Sequence, residues 1–449
     1  MSKVIPSKFM SKGNVIGVDS LSHIKSEKIR LQVHGNNSIT TYSPESQNEL
    51  LFRIPAYANS FLNTEDTFLS FKVKTTGCNG TNYSIIGMGC PVFSRCVYRS
   101  SQGLIISEEN NFHVLNRLFT IHSVHSGMTD EGVYENGDVT QSTKKAALGT
   151  SLQNSITYVL KFKSSLLDVN LASYLPLCMM DSGASGHAFD LELTLAPANE
   201  CLKLALGSLT STASYEITEP VMNLNVIRMT PELCSKYNQI ACNEKEQITI
   251  PFKTYRCHSN SLTSATQQQL SIHEMATNIK RVWTVLTKVT NAIDDTENLG
   301  FFGSVRDTSI QIQEYNYKVG NQSMYSEPVS EVGNNNNNIT LNHVKGGSFS
   351  HGKNTILTQP ESDDSIYNCF EASSKKMFHT VCSFDYSNES TKGVVQGIST
   401  STPLLITLKT NVAPNAYQLH SFVEIGYDLS IINGEIKYVE QKAGSNQVY

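Results

Sequence analysis

The sequence predicts an all-β protein built from two similar domains in tandem. Residues 312–319 (IQEYNYKV) alternate polar side chains with aromatic and β-branched ones, which is the two-residue period of a half-buried strand. Gly320-Asn321 then supplies turn residues before the chain becomes extended again. The same order of strand, turn and strand occurs at residues 93–106, around Gln102-Gly103. Two copies of this strand-turn-strand pattern, about 220 residues apart, indicate two similar β domains.

Length and charge agree with this organisation. A chain of 449 residues and 49.6 kDa fits two domains of about 200 residues with terminal arms. Only 17% of the residues are charged and the net charge is −5, while Ser, Thr and Asn are abundant. Neutral polar side chains therefore keep the protein soluble, and the chain has no global basic field that would attract nucleic acid.

The ten cysteines show neither a CxxC pair nor a histidine at zinc-finger spacing. We expect free thiols in a protein made in a reducing compartment. The first residues lack the apolar stretch of a signal peptide, and no apolar run approaches the roughly 20 residues of a membrane span. The sequence thus predicts a cytosolic or nuclear product that is not secreted.

The first half of the chain begins with a predicted arm. Residues 1–28 carry five lysines and no sustained period, which indicates an extended, mildly basic segment. Residues 29–229 form the first predicted domain. Alternating apolar residues predict strands at 29–33, 51–54, 68–74, 156–162, 189–195 and 215–229, the last one broken by Pro220. Apolar residues at helical spacing from Phe112, preceded by Glu108-Glu109, predict a short inserted helix with acidic residues near its start.

The second half repeats the plan. A linker helix is predicted over residues 230–245, a second domain over 246–440 and a tail over 441–449. Strands are predicted at 248–255 (an edge strand, because it contains Pro251), 279–289, 404–408, 420–432 and 435–439, with a hairpin turn at Asn433-Gly434. A second inserted helix is predicted at 365–378, after a long loop that contains the asparagine run 334–338.

Three segments carry a family resemblance. They are YNYKVGNQSMYSEPV from residue 315, LHSFVEIGYDLSIINGEIKYV from residue 419, and LLFRIPAYANSFLNTEDTFLSFKVK from residue 50, the last followed by the hairpin at residues 93–106. With the order of strands and helices in each half, they resemble the double jelly-roll major capsid proteins of double-stranded DNA viruses. The similarity is greatest to the Polinton, virophage and adintovirus-like branch, and it covers most of residues 29–440.

The resemblance implies a structural role. Two eight-stranded jelly rolls with short inserted helices and long loops would stand side by side, and three copies would form a pseudo-hexagonal trimer, the hexon that tiles an icosahedral virion shell. The implied partners are the chain itself, as a homotrimer and in neighbouring trimers, penton and minor capsid proteins, and an internal membrane or the genome through residues 1–28. The resemblance implies no catalytic residue, cofactor, metal or small-molecule substrate. It places the protein in the virion capsid after synthesis in the host cytoplasm or nucleus.

One motif favours a different function. Residues 177–185 (LCMMDSGAS) match the active-site loop of retroviral-type aspartic peptidases, with Asp181 as the catalytic aspartate. Such enzymes bring two aspartates together to share a proton and activate water. The sequence has no second Asp-Thr/Ser-Gly, so the second aspartate would come from another copy of the chain. The apolar pair expected before a later glycine comes early, at Leu204–Gly207. A loop whose small residues turn the chain is the alternative explanation.

The remaining candidates are weaker. Composition alone also fits a two-domain β-sandwich adhesin or carbohydrate-binding protein, although no secretion signal or cysteine framework supports one. His122 and His125 would ligate a metal only with a third ligand from Asp130 or Glu131. We therefore predict no metal site.

Overall fold

The structure is a computed structural model of the 449-residue chain. It describes residues 3–4, 17–18, 24–35, 40–76, 82–85, 92–116, 156–171, 173–180, 186–206, 214–235, 247–274, 276–289, 312–323, 328–330, 381–385, 403–414, 417–432 and 435–440.

The described residues fall into two groups of strands. The N-terminal strand group follows a first small pair, β1 (Lys3–Val4) and β2 (Gly17–Val18), and comprises β3 (Ile24–Leu31), β4 (Thr41–Tyr42), β5 (Glu49–Pro55), β6 (Ser60–Thr76), β7 (Asn82–Ile85), β8 (Phe93–Ser100), β9 (Ile105–Asn110), β10 (Ile156–Leu160), β11 (His187–Leu195), β12 (Leu202–Leu206) and β13 (Ser214–Met229). The C-terminal strand group comprises β14 (Gln247–Ser261), β15 (Gln267–Ile272), β16 (Ile279–Lys288), β17 (Ile312–Val319), β18 (Gln322–Ser323), β19 (Val329–Ser330), β20 (Val381–Asp385), β21 (Leu404–Thr410), β22 (Tyr417–Ile432) and β23 (Glu435–Glu440).

Helical segments in the described residues are short. They are the 3₁₀ turns Ser165–Leu167 and Leu177–Met179, the helix Ala198–Cys201, and helical turns at residues 112–116 and 231–235. The predicted all-β class is confirmed.

Both groups have the same strand order. In the N-terminal group one sheet runs β10-β6-β13-β3 and the other runs β5-β11-β8-β9. In the C-terminal group the sheets run β14-β22-β16-β20 and β15-β21-β17-β18. In each group the last long strand lies between the first and third of the eight, and every neighbouring pair is antiparallel. This is the order of an eight-stranded jelly roll, and it occurs twice along one chain.

The alternating sequence of each strand explains which face packs inward. In β11, His187–Leu195, every second residue from Phe189 to Leu195 is buried, while Asp190, Glu192 and Thr194 are half-buried. Because strand side chains alternate between two faces, the apolar set covers the core and the polar set covers the outer face. The buried apolar residues of both groups form one continuous cluster.

The two hairpins that suggested tandem domains occupy equivalent places. Gly103 (φ 83°) lies in the turn between β8 and β9, and Gly320 (φ 58°) lies between β17 and β18. Glycine accepts this left-handed conformation without a Cβ clash. In each group the hairpin joins the fourth and fifth strands of the eight, so the repeated sequence pattern is confirmed as a repeated structural element.

The last residues of the predicted arm lie in a strand. Strand β3 begins at Ile24, five residues before the predicted start, and residues 24–28 pair with β13. Ser26 Oγ donates to Asn225 Oδ1 (2.7 Å), and Arg228 Nε lies 2.8 Å from Glu27 Oε2. The polar composition of these residues, which indicated an arm, is that of an exposed edge strand.

Strand β13 continues through Pro220, where the sequence predicts a break. The register with β6 shifts between Thr218 and Val221, and Glu219 has φ 52°. A β-bulge therefore accommodates the residue that cannot donate a ladder hydrogen bond. Pro251 behaves as predicted, because β14 is an edge strand of its sheet in the described part of the chain.

Several predicted elements lie outside the described residues. They are the helix at 365–378, the asparagine run, the end of the helix that begins at Phe112, most of the linker helix and the turn Asn433-Gly434. Strands β22 and β23 pair antiparallel from Ile432 and Glu435 outward, as the hairpin prediction requires.

Tyr317 tests the packing of the C-terminal sheets. Its hydroxyl donates to Thr284 Oγ1 (2.8 Å), joining β17 of one sheet to β16 of the other. We expect Tyr317→Phe to lower the free energy of unfolding by about 1 kcal/mol, because the buried Thr284 hydroxyl loses this hydrogen bond and keeps the one with Ser421 (3.1 Å). Urea denaturation measures this change. The control Tyr57→Phe keeps the ring beneath Arg228 and should shift stability little. Equal effects of the two substitutions would contradict this role of the hydroxyl.

Candidate functional site at the junction of the two strand groups

Two sheet edges meet where the strand groups join. Strand β9 ends one N-terminal sheet and β14 begins one C-terminal sheet, so each has a single strand neighbour among the described residues. The two edges pack against each other without forming a ladder. Side chains make the connection instead: the hydroxyls of Ser107 and Thr254 lie 2.6 Å apart. Buried polar edges need such partners, because an unpaired backbone group away from water is costly.

Polar side chains from both groups line this contact. We call them the junction network: Ser107, Glu109, Asn111, His113, Ser164 and Glu200 from the N-terminal group, and Thr254, Tyr255, Cys257, Ser259, His420 and Glu424 from the C-terminal group.

Glu109 lies at the centre of the junction network and is fully buried. Ser164 Oγ donates to its Oε2 at 2.7 Å, and the Tyr255 backbone N–H and the Thr254 hydroxyl donate to its Oε1 at 3.3 and 3.5 Å. One carboxyl of the N-terminal group thus receives an edge N–H of β14. Its role is that of a missing strand neighbour.

The protonation of Glu109 reflects its burial. Burial raises the pKa of this carboxyl to about 7, because the charged form loses its hydration, and the nearby Asp168 carboxylate adds to the rise. The hydrogen bonds from Ser164 and Tyr255 act in the opposite direction. Asp168 is itself 3.6 Å from Lys253 Nζ on β14. The centre of the junction therefore titrates near neutral pH.

Tyr255 connects the junction to a second buried carboxyl. Its hydroxyl donates to Glu424 Oε2 (2.5 Å), while its backbone N–H reaches Glu109. Burial alone would raise the pKa of Glu424, but Arg281, 3.8 Å away, and the nearby Lys253 outweigh it and lower the pKa. Glu424 is thus a buried charge with basic partners, whereas Glu109 has hydroxyl and amide partners.

Histidines complete the network at the other end of β9. Asn111 Nδ2 donates to Cys257 Sγ and Ser259 Oγ at 3.3 and 3.4 Å, and Ser259 Oγ lies 2.8 Å from His420 Nδ1. Burial lowers the pKa of His420 to about 4, and the neighbouring His113 adds to this effect while Glu200 opposes it. His113 Nε2 is 3.0 Å from Glu200 Oε2.

A half-open cleft of about 330 Å³ lies beside the junction, between β9 and β14. Its charged walls are paired within the protein. Arg256 Nη1 is 2.8 Å from Glu274 Oε1, His258 Nε2 is 3.0 Å from Glu274 Oε2, and Glu108 is 2.9 Å from Arg95 Nε. Each of these contacts lies within one strand group and occupies the polar side chains of its own cleft wall, and we assign no ligand to the cleft.

The predicted catalytic candidate lies elsewhere. Asp181 is outside the described residues, which resume at Gly186 after the turn Leu177–Met179 and the buried Met180. The histidine pair His122 and His125 is also outside them. Among the residues that the structure describes, no group of three or more metal-ligating side chains exists, and no helix is long and apolar enough to cross a membrane.

Free thiols are observed where the structure describes cysteines. Cys96, Cys178, Cys201, Cys234 and Cys257 are all unbridged, as predicted.

Sequence reasoning missed the junction network. It interpreted Glu108-Glu109 as acidic residues that precede a helix from Phe112. The helical turn does begin at Phe112, but both glutamates lie in β9. The alternation of β9 did not reveal the network, because Ile105, of the same parity as Glu109, is exposed and Ile106, of the other parity, is buried. The inward position of Glu109 follows from its pairing with the buried Cys96 of β8. A carboxyl among core positions indicates a partner from another element.

Comparisons with known proteins identify the fold. No family model matches the sequence, and no curated protein is similar to it. Solved structures are similar in fold. The chain aligns with PBCV-1 VP54, as fitted into a reconstruction of the virophage Sputnik, with TM-score 0.58 and 10% identity over 93% of this chain and 97% of that one. The Faustovirus major capsid protein aligns with TM-score 0.53 and 8% identity, over 91% of this chain and 90% of that one. The Sputnik virophage structure aligns with TM-score 0.53 and 11% identity, over 96% of this chain and 91% of that one. All are double jelly rolls, and this chain has that fold. The Polinton-like branch stays a prediction.

Glu109→Gln tests the charge at the junction. The folded state holds the Glu109 proton more tightly than the unfolded state, so the wild-type free energy of unfolding should fall as pH rises from about 4.5 to about 7. The neutral variant should lack this component and be more stable than wild type at pH 8, by up to about 3 kcal/mol. Denaturant titrations across pH 4–8 measure the difference. In the control Glu108→Gln, a surface carboxylate beside Arg95 is removed. A Glu109→Gln difference that does not change with pH would contradict the assignment.

His420→Asn tests the other end with the opposite sign. The folded pKa of about 4 lies below the unfolded value of 6.5, so His420 should cost stability as pH falls from about 6.5 to about 4. Over that pH range we expect the free energy of unfolding to fall by up to about 3 kcal/mol less in the variant than in wild type. Thermal unfolding at successive pH values provides the comparison, with the exposed His34→Asn as control. If both variants follow the wild-type acid profile, His420 is not the buried neutral group.

Proposed function

We propose that this double jelly-roll chain is a major capsid protein whose pseudo-hexagonal trimers tile an icosahedral virion shell. The observation that carries the proposal is the repetition of one eight-stranded order in a single chain. The same fold, over more than 90% of this chain, occurs in the PBCV-1, Faustovirus and Sputnik proteins. Two jelly rolls in each subunit let three subunits present six similar units, which is the symmetry that a hexagonal tile requires.

The junction network supports the proposal physically. A shell tile must keep its two jelly rolls in a constant relation, since many weak contacts between tiles close a shell only if each tile has one shape. Hydrogen bonds from Ser164, Thr254 and Tyr255 converge on the buried Glu109, and those from Thr254 and Tyr255 cross from the C-terminal strand group to the N-terminal one. Directional hydrogen bonds to a buried carboxyl are the kind of contact that specifies one arrangement.

The proposal divides the chain into functional parts. Residues 29–229 and 246–440 are the two jelly rolls, with β3 extending the first one back to Ile24. Residues 230–245 are the linker, residues 1–23 the arm, which ends where β3 begins, and residues 441–449 the tail.

The proposed partners follow from assembly. They are two further copies in a homotrimer, neighbouring trimers, penton and minor capsid proteins, and an internal membrane or the genome through the arm. The protein would be made in the host cytoplasm or nucleus, without secretion, and would act in the virion capsid. We propose no enzymatic activity, cofactor or small-molecule substrate.

The alternatives have less support. No observation in the described part of the chain favours the aspartic peptidase with Asp181 or the sandwich adhesin. In a retroviral-type peptidase the aspartate loop belongs to a separate lobe of about 100 residues. Here β11 and β13, which follow Asp181, belong to sheets that also contain strands from before Asp181.

The mass in solution tests the capsid proposal. Light scattering of the purified chain should give a mass near three times 49.6 kDa, and negative-stain images should show a pseudo-hexagonal outline or closed shells. Asp181→Asn should have the same mass and outline as wild type. A persistent monomer or a two-fold dimer would overturn the proposal. A pepstatin-sensitive activity lost in Asp181→Asn would instead establish the peptidase.

A further inference from the structure

One edge strand of the N-terminal group is open to solvent. Strand β3 is the outer strand of its sheet, and β13 is its one strand neighbour in the described part of the chain. Lys25, Lys28 and Arg30 are exposed along β3. Ile29 and Leu31 are partly buried and pack against the core. Because side chains alternate along a strand, Lys28 and Arg30 lie on the outer face of the sheet. Strand β3 therefore presents basic side chains beside a backbone edge that no described strand covers.

The equivalent strand of the C-terminal group is covered. Strands β3 and β14 are the first strands of the two jelly rolls, and the first residue of each pairs with the last residue of the final long strand, β13 or β22. Counted from these pairs, Arg30 of β3 and Lys253 of β14 have equivalent positions. The outer edge of β14 packs against β9 of the N-terminal group. One jelly roll thus covers the first strand of the next.

Side chains make the contact that covers β14. Lys253 Nζ lies 3.6 Å from Asp168 Oδ2 of the N-terminal group, and the hydroxyls of Ser107 and Thr254 lie 2.6 Å apart. No ladder forms between β9 and β14. Charged side chains on an edge strand oppose ladder pairing, but they allow this kind of contact. A basic residue at this position of the first strand thus finds a carboxylate on the neighbouring jelly roll.

The contact between β9 and β14 joins two different edges, so the subunit keeps one further edge of each kind. Strand β9 is the fifth strand of the first jelly roll. In the second jelly roll the chain returns along β17 as β18 and β19, and β17 is their one strand neighbour among the described residues. Asn321, Ser323 and Pro328 are exposed along this return, which we call the β18–β19 edge. The subunit thus carries β3, equivalent to β14, and the β18–β19 edge, equivalent to β9.

These two surfaces have opposite charge. Strand β3 contains three basic residues and one glutamate, whereas residues 320–331 contain two glutamates and no lysine or arginine. The buried carboxyl of the internal junction has no counterpart: Val329 pairs with Tyr315, the fourth residue of β17, whereas Glu109 pairs with Cys96, the fourth residue of β8. A contact between the two surfaces therefore depends on charged side chains at the surface.

We propose that β3 of one copy packs against the β18–β19 edge of the next copy, so that the contact between subunits repeats the contact of β14 with β9 inside one subunit. The inference rests on the proposed trimer and names the surfaces that form it. Arg30 takes the place of Lys253 and pairs with a carboxylate of the neighbouring copy. Contacts between two different surfaces close into a ring, and three copies joined in this way alternate internal and external contacts around six jelly rolls.

Photocrosslinking of the full-length trimer tests which surfaces meet. The photoreactive amino acid benzoylphenylalanine replaces Arg30, trimers are isolated by size exclusion and irradiated, and covalent dimers are separated from monomers in a denaturing gel. Mass spectrometry of the dimer band should find position 30 linked to residues 312–330 of the second copy, and the monomer band should lack this link. The control replaces Thr157, which is exposed on β10 at the opposite edge of the same sheet, and should not give the link.

Two negative outcomes separate this contact from the proposed function. Trimers that link position 30 to any other segment, or that give no covalent dimer, would overturn the contact and leave the capsid proposal intact. Wild-type protein that stays monomeric would overturn both.

The variant Arg30→Glu supplies a second readout. A carboxylate on β3 would face the carboxylates of the neighbouring copy, so the concentration at which half of the trimer dissociates should rise about tenfold or more. Sedimentation velocity measures this concentration, and circular dichroism should show an unchanged fold. The control Lys74→Glu reverses a charge on the outer face of the same sheet, two strands away, and should leave the trimer as stable as in wild type. Equal dissociation of the two variants would contradict this role of β3.

Discussion

The structure depends on closing two sheet edges against each other in the middle of the protein. An edge strand presents a row of backbone donors and acceptors, and β9 and β14 present theirs at the place where the strand groups meet. Side chains satisfy the edges where no strand does, and the carboxyl of Glu109 receives the N–H of Tyr255. The two jelly rolls are therefore joined by directional bonds, which hold their relative position more strictly than apolar packing alone.

The buried ionisable groups at this contact differ in the protonation state that the structure favours. Around Glu109 the structure favours a neutral carboxyl, around Glu424 it favours a charged one, and around His420 it favours a neutral imidazole. Each preference follows from burial balanced against local partners. Glu109 lowers stability as pH rises above about 4.5, and His420 lowers it as pH falls below about 6.5, so the two residues shift the free energy of unfolding in opposite directions.

The sequence predicted the features that occur in both halves of the chain, and it did not predict those that occur once. The hairpins at Gly103 and Gly320 were predictable because turn chemistry is local. The class and the pairing of similar halves followed from alternation and repetition. The bulge at Pro220 was not predicted, since a proline stops a strand only if no register shift absorbs it. The hydrogen-bond partners of Glu109 are distant in sequence: Ser164 follows it by 55 positions and Thr254 by 145. Hydrophobic periodicity within one sequence carries no information over such distances.

The strand order limits when each sandwich can fold during synthesis of the chain. In both groups the first strand pairs with the last: Ile24 with Met229, and Gln247 with Ile432, each across roughly 200 residues. Neither sandwich closes until the strand that pairs with its first strand has left the ribosome, so β14 has no strand neighbour until β22 has been made. A nascent chain therefore holds an open second sandwich until β22 has been synthesised, and the order of synthesis limits the order of folding.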